Sequence, residues 1–228
     1  MRMADLMRSA RARAGVLSLL ILCVVATGVS VGVFRPIDDV IAATRFAILD
    51  RQGGQTLTVV EIDSKSLADA GAWPWDRRRY AQAIDNLFEA GATLVAIDVD
   101  FSAPSNPSSD AALAAAVSRR PGQVALATFE QMDSYGAGER RVWGNRPIAP
   151  LLKDSLLASV NVPVDGDGRV RHYDYGGPDD SPPSVAALMA GAPKRDGAFT
   201  VDFGIDQASI PHVSFEDIYQ GRFDPSLV

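Results

Sequence analysis

Cysteine and histidine are nearly missing from this 228-residue chain, which has one cysteine, Cys23, and two histidines, His172 and His212. One thiol cannot close an internal disulfide, and Cys/His metal clusters cannot be built at that count. Zinc hydrolases, thiol enzymes and haem carriers are therefore poor readings. Positive charge is also short, with 22 Lys and Arg against 28 Asp and Glu, a net charge of -6 and a pI near 4.9. Nucleic-acid binding needs clustered cations to displace counterions from phosphates, so that class is set aside. Internal repeats and low-complexity tracts are absent. What remains is 47% hydrophobic and 22% charged, a globular balance, at a length suited to one large domain or one and a half ordinary ones.

Charge and hydrophobicity are unevenly placed. Arg2, Arg8, Arg11 and Arg13 precede Ala14–Phe34, which runs for 21 residues without a charge. A helix of that length covers about 30 Å, the hydrocarbon thickness of a bilayer. The basic flank orients such a span with residues 1–13 in the cytoplasm and residues 35–228 in the periplasm. Residues 14–228 then carry 18 basic and 27 acidic side chains, net -9, and the lone Cys23 lies within the span. A cleaved signal peptide is the competing reading, with Val16–Ala26 as its apolar core and Ala26-Thr27-Gly28 as the cleavage site. The apolar run continues to Phe34 without a polar cleavage region, which favours a retained anchor. Residues 35–51 follow as a juxtamembrane helix with Ile37, Val40, Ile41 and Thr44 on one face.

Residues 52–228 read as α/β. A strand over Leu57–Asp63 precedes a short helical turn at Ser64–Ala70. Asp76 caps a helix over Arg77–Ala90, with Tyr80, Ile84, Leu87 and Phe88 on one face and Gly91 past its end. A second strand, Thr93–Asp100, makes this a βαβ unit with parallel strands. The pattern continues with an alanine-rich helix at 109–119, a strand at 124–128, a long loop at 129–149 and a helix at 150–157. Strands at 158–162 and 170–175 flank Asp165-Gly-Asp-Gly168 as a β-hairpin. A helix at 183–190 and a strand at 199–205 come next. Ser214 and Asp217 then form a capping box on a short helix that stops at Gly221. The expected fold is a mostly parallel sheet with flanking helices and a β-hairpin, preceded by one N-terminal transmembrane helix.

The most suggestive chemistry is acidic. Asp63 ends the first strand, and Asp98 and Asp100 end the second, where ligands of open α/β sheets bind. Three carboxylates there suit a hard cation such as Mg2+ or Ca2+. The plainer reading, which carries more weight, makes them caps or partners of Arg77, Arg78 and Arg79. Asp165–Arg171 echoes a calcium loop, but Arg169 stands where a ligand is needed and no closing Glu follows. It reads better as a turn, with Arg169 and Arg171 free to hold an anion or to pair with Asp98 or Asp100. Trp73-Pro74-Trp75 is a rigid, bulky element that either lines a pocket or, as the favoured reading, buries large area over the sheet. Nucleophile elbows, phosphate loops and zinc-helix motifs are lacking.

These residues together resemble the type-two CHASE domain, the extracytoplasmic sensory module of bacterial receptors. The resemblance rests on Val59-Val-Glu-Ile-Asp63, Gly71-Ala-Trp-Pro-Trp-Asp-Arg77, Ala90-Gly-Ala92 and Ala96-Ile-Asp-Val-Asp-Phe-Ser102 with Asp110. Val160-Asn161, Asp165–Arg171, Pro183-Ser184 and Val213-Ser214 with Gly221 continue it in order, over about 56–228. It implies a sensor with an N-terminal anchor, further membrane helices and a cytoplasmic output: a cyclic-di-GMP cyclase or phosphodiesterase, an adenylate cyclase or a kinase. Phe101–Pro107 with Phe129-Glu-Gln131 is nearest to alphaproteobacterial forms tied to cyclic-di-GMP. The family pattern runs on past the Gly221 region into a further strand and membrane helices, which residues 1–228 do not contain.

The expected protein is a bacterial inner-membrane sensory domain rather than an enzyme, with no cofactor and no resident metal. Its expected partners are an unidentified small-molecule or envelope ligand and the lipid bilayer through residues 14–34, with a homodimer left open. The candidate ligand-binding residues are Asp63, Trp73, Trp75, Arg77, Asp98, Asp100, Arg169 and Arg171. The alternatives are a periplasmic metal-dependent hydrolase using Asp63, Asp98 and Asp100, and an envelope protein-interaction module.

Overall fold

The computed structural model describes residues 3–30, 33, 35–49, 51–54, 56–71, 73–135, 139–176, 181–193 and 195–228. The chain divides into two compact units, one of residues 1–51 with 203–206 and one of residues 52–202 with 207–228.

In the first unit, helix α1 spans Met3–Ser30 and helix α2 spans Arg35–Ile48. Uncharged residues occupy α1 from Ala14 to Ser30, and Leu17, Leu20, Ile21 and Val24 are all more than half exposed. That stretch rises only about 25 Å, because α1 stops at Ser30 and residues 31, 32 and 34 lie outside the described part. Among the described residues, no helix is long and apolar enough to cross a membrane. The transmembrane span expected over 14–34 is therefore not supported by the helix. The helix expected over 35–51 is α2, three residues shorter than expected. Phe46 on α2 meets Phe203 edge-on at 6.3 Å, and the Arg51 amide donates to the Gly204 carbonyl at 2.9 Å.

The second unit is mixed α/β with several small sheets. After the two-residue strand β1 (Arg51–Gln52) come β2 (Val59–Glu61), α3 (Ser64–Ala70), α4 (Arg77–Ala90), β3 (Val95–Ile97) and α5 (Pro107–Ser118). Then follow β4 (Val124–Tyr135), β5 (Glu139–Asn145), α6 (Ala149–Leu152) and β6 (Leu156–Ser159). The chain continues with β7 (His172–Asp174), α7 (Val185–Met189) and β8 (Ala198–Thr200), passes through β9 (Ile205–Asp206) in the first unit, and ends with β10 (His212–Ser214) and α8 (Phe215–Tyr219).

α4 forms where the sequence placed it. The Asp76 carboxylate accepts from the Arg78 amide at 2.8 Å, and Gly91, at φ +118°, takes the left-handed conformation that ends the helix. Tyr80, Ile84, Leu87 and Phe88 are all buried. They pack in one core with Leu113, Ala116 and Val117 of α5, Val124 and Leu126 of β4, Leu151 and Ile218. The small alanines of α5 let the two helices approach closely. Around this core β4 is central: its first half pairs in parallel with β3 and β6, and its second half pairs antiparallel with β5.

Several expected pairings are different. β2 pairs in parallel with β10, some 150 residues away, and no ladder joins β2 to β3 among the described residues. The βαβ unit thus has its helix and both strands but not their direct pairing. The expected loop at 129–149 is largely the β4–β5 hairpin. Residues 156–157 continue into strand β6 rather than ending a helix. The turn at 165–168 exists, closed by the Gly168 amide donating to Asp165 O at 2.9 Å, with Gly168 at φ +82°. The strands beside it do not pair with each other, since β6 runs with β4 and β7 with β8.

Leu113 has no exposed area in this core. Leu113→Ala is expected to lower the unfolding free energy by about 2–5 kcal/mol. Urea denaturation measures it, and a loss below about 0.5 kcal/mol would contradict the packing.

Candidate functional site

The three strand-end carboxylates are engaged separately. Asp63 caps α3, its Oδ1 accepting from the Ser66 amide at 2.8 Å, the Ser66 hydroxyl at 2.7 Å and the Ser214 hydroxyl at 3.1 Å. The fully buried Ser66 hydroxyl in turn accepts from the Glu216 amide at 3.1 Å. One carboxylate therefore ties the end of β2 to α3, β10 and the start of α8. The same hydrogen bonds, those from Ser66 first, hold the Asp63 carboxyl below the usual carboxylate range. Asp100 is exposed and accepts from the Ser102 amide at 2.8 Å. Asp98 is exposed too, near Tyr173, whose phenol is pushed up first by burial and then by the Asp98 and Asp174 charges.

No group of three or more His, Cys, Asp or Glu side chains is placed to hold a metal ion among the described residues. β2 and β3 belong to different ladders, so their carboxyl ends are not neighbours in one sheet. The hydrolase reading loses its proposed centre on that geometry.

The Trp-Pro-Trp element divides in two. Trp75 is buried and stacks on Phe215 at 5.2 Å and Tyr80 at 6.2 Å, while Trp73 stays half exposed against Trp75 at 5.2 Å. Tyr80 is itself against Phe101 at 5.3 Å, and burial pushes its phenol up to about 12. Trp75 thus sits among core rings, and Trp73 supplies the exposed face. The Trp75 indole N–H and the Arg79 Nε are buried without a hydrogen-bond partner among the described residues, although Arg79 pairs with Glu216 through its guanidinium tip.

Arg77 is 6% exposed, and its guanidinium donates to Asp110 Oδ1 at 2.9 Å and to the Ala103 carbonyl at 2.5 Å. Asp110 Oδ2 also accepts from the Ser105 amide at 3.0 Å, and the Arg77 amide donates to Ser109 Oγ at 2.7 Å. Both groups are spent on holding the 101–110 segment against α4.

Arg171 pairs with Asp165 at 2.8 Å and with Asp167 at 2.7 Å, so both salt bridges run inside the turn that the sequence singled out. Hydrogen bonding from Arg171 is the main reason the Asp167 carboxyl falls to about 2. Arg169 is exposed, and its amide donates to Asp167 Oδ1 at 3.2 Å. Of the eight candidates, Asp63, Arg77 and Arg171 are structural ties, Trp75 sits among core rings, and Asp98, Asp100, Trp73 and Arg169 lie at the surface.

The sequence reading missed an open cleft of about 380 Å3 lined by Arg146, Ser155, Leu156, Leu157, Ser181, Pro182, Pro183 and Leu188. Its walls are joined by backbone: the Ser159 amide donates to Pro183 O at 2.8 Å, and the Ser184 amide donates to Tyr175 O at 3.0 Å. Ser184 then caps α7, its hydroxyl accepting from the Ala187 amide at 3.2 Å. The available signal was local: Pro182-Pro183 before a serine cap, and an arginine between Asn145 and Pro147.

Two measurements test these assignments. Arg77→Met leaves Asp110 buried and unpaired and is expected to cost about 3–5 kcal/mol, with Arg77→Met/Asp110→Leu recovering much of it. Denaturation of the two variants checks this, and equal losses would remove the ion pair from the account. For pH, the Asp63 and Asp167 carboxyls lie below their unfolded values, so their contribution is complete above about pH 4. It disappears as pH falls through the folded-state values, about 2 for Asp167. Thermal melts from pH 5 to 2 are expected to fall less steeply for Asp167→Asn than for the parent chain.

The sequence matches the CHASE2 domain family model over residues 16–228, nearly the whole chain. No curated protein and no solved structure matches it. The motif segments quoted above all lie inside that match, and the chain belongs to the CHASE2 family, a family of extracytoplasmic sensory domains.

Proposed function

We propose that this chain is the sensory part of a membrane-anchored bacterial receptor. Residues 35–228 lie in the periplasm and the N-terminus in the cytoplasm. The observation that carries this reading is the family match over 16–228. The regulated activity is assigned to parts of the receptor other than this sensory domain. A cyclic-di-GMP cyclase or phosphodiesterase, an adenylate cyclase and a kinase are the outputs we assign to the receptor class.

The N-terminal composition supports attachment to the inner membrane. Four arginines precede the uncharged run, as expected of a cytoplasmic flank, and the exposed apolar side chains of α1 suit lipid better than water. A bound ligand would signal only through different affinities for two conformations. The geometry of the acidic residues favours this over catalysis, because Asp63 is committed to a cap and Asp100 to a turn.

Fusing alkaline phosphatase or β-galactosidase after Val228 in a bacterial host tests the topology. Active phosphatase, inactive galactosidase and retention in alkali-washed membranes are expected. The reverse pair of activities would overturn the periplasmic assignment, and release into the alkaline wash would overturn the anchor.

A further inference from the structure

The cleft beside β6 combines three features that nothing in the fold consumes. Arg146, which directly follows β5, is exposed and lines it. Arg77, Arg78, Arg79, Arg119, Arg171 and Arg222 are each in an ion pair, whereas Arg146 has neither an ion pair nor a side-chain hydrogen bond among the described residues. The Ser155 hydroxyl, on a residue of the same wall, is buried and without a hydrogen-bond partner among the described residues. The remaining surface is mostly aliphatic, from Leu156, Leu157, Pro183 and Leu188.

A free guanidinium presents a planar fork matched to a carboxylate. The volume, about 380 Å3, falls at the small end of the range of about 300–1,000 Å3 for small-molecule sites. From these we infer that the cleft binds a small organic carboxylate, its anionic end on Arg146 and its apolar body against Leu156, Leu157 and Leu188. A single charge fits because Arg146 is the one charged side chain among the described lining residues. A phosphate dianion would call for further cations, and a neutral apolar molecule would leave the guanidinium without a partner.

This site gives the sensory reading a ligand class and rests on that reading for its biological role. Its walls also belong to three separate segments: the residue after the β4–β5 hairpin, strand β6 and the stretch leading into α7. A molecule bridging them bears on their mutual spacing, which is the kind of displacement a sensor can transmit.

Calorimetry on the full chain in detergent micelles, with sodium hexanoate and sodium benzoate as probes, tests the inference. Saturable binding of at least one carboxylate is expected, weakened about tenfold or more in Arg146→Gln, a loss typical of a charge-assisted contact. Hexanamide and benzamide are expected to bind at least as weakly as the carboxylates bind to that variant. Arg222→Gln, at a guanidinium paired with Asp217 outside the cleft lining, is expected to leave binding unchanged. Three results would overturn the proposal: no saturable binding of either carboxylate at about 1 mM, equal affinity in Arg146→Gln, or inorganic phosphate binding as tightly as the carboxylates. The topology fusions are independent of this assay. Carboxylate binding by a chain whose C-terminus proves cytoplasmic would keep the cleft and remove the sensory reading. Periplasmic topology without binding would do the opposite.

Discussion

A guanidinium taken out of water must have its charge and its donors met, and the second unit is arranged around one that does. Arg77 begins α4, yet its partners all lie between Ala103 and Asp110, at the other end of β3 and into α5. The strand between them has only three residues in its ladder, too few to fix the connection alone. The ion pair, with Phe101 stacked beneath the guanidinium at 5.1 Å, locks the loop so that Leu113 and Val117 meet Ile84 and Phe88. Removing one partner leaves a charge in the interior, which is why this contact costs more to break than any exposed pair in the chain.

The other conspicuous carboxylates follow the same logic with weaker constraint. Asp63 joins β2 and α3 to β10 and, through Ser66, to α8, some 150 residues on, and it does so with hydroxyl and amide donors rather than with a cation. Asp76 caps α4 and accepts from the Ser109 hydroxyl at 2.8 Å, adding a second tie between the two packed helices. Acidic residues at strand ends look like catalytic or metal-binding groups when seen only as a pattern. Here Asp63 caps a helix and Asp100 closes a turn.

Local signals were readable and distant ones were not. α4 was legible to the residue because its cap, apolar stripe and terminal glycine are all within one segment. The partner of β2 was not, since β10 lies some 150 residues on and β2 carries no mark of its neighbour's identity. The β4–β5 hairpin was read as a loop because Glu130, Asp133, Glu139, Arg140 and Arg141 break any apolar alternation, and its strength lies in ladder hydrogen bonds that every sequence can make. Ser214 sits where a capping box requires it, but no side-chain cap bond forms, because its hydroxyl donates to Asp63 instead. At that position a tertiary contact replaced a local one. The dispersal of the eight candidate ligand residues has the same origin: their types suggested chemistry, but only the strand pairing decides which of them meet.

The cleft shows why a binding site in such a domain escapes motif reading. Its contributors are separated by up to 42 residues, from Arg146 to Leu188, and none is unusual for its own segment. What distinguishes them is a shortage of partners. Where six arginines among the described residues are held in ion pairs, a guanidinium left beside a leucine wall carries information that its residue type does not. The segments around it are joined by few backbone bonds, Ser159 to Pro183 and Ser184 to Tyr175, whereas the α4–α5 core is fully interlocked. A ligand's binding free energy can shift a conformational balance only where the fold has left room for one.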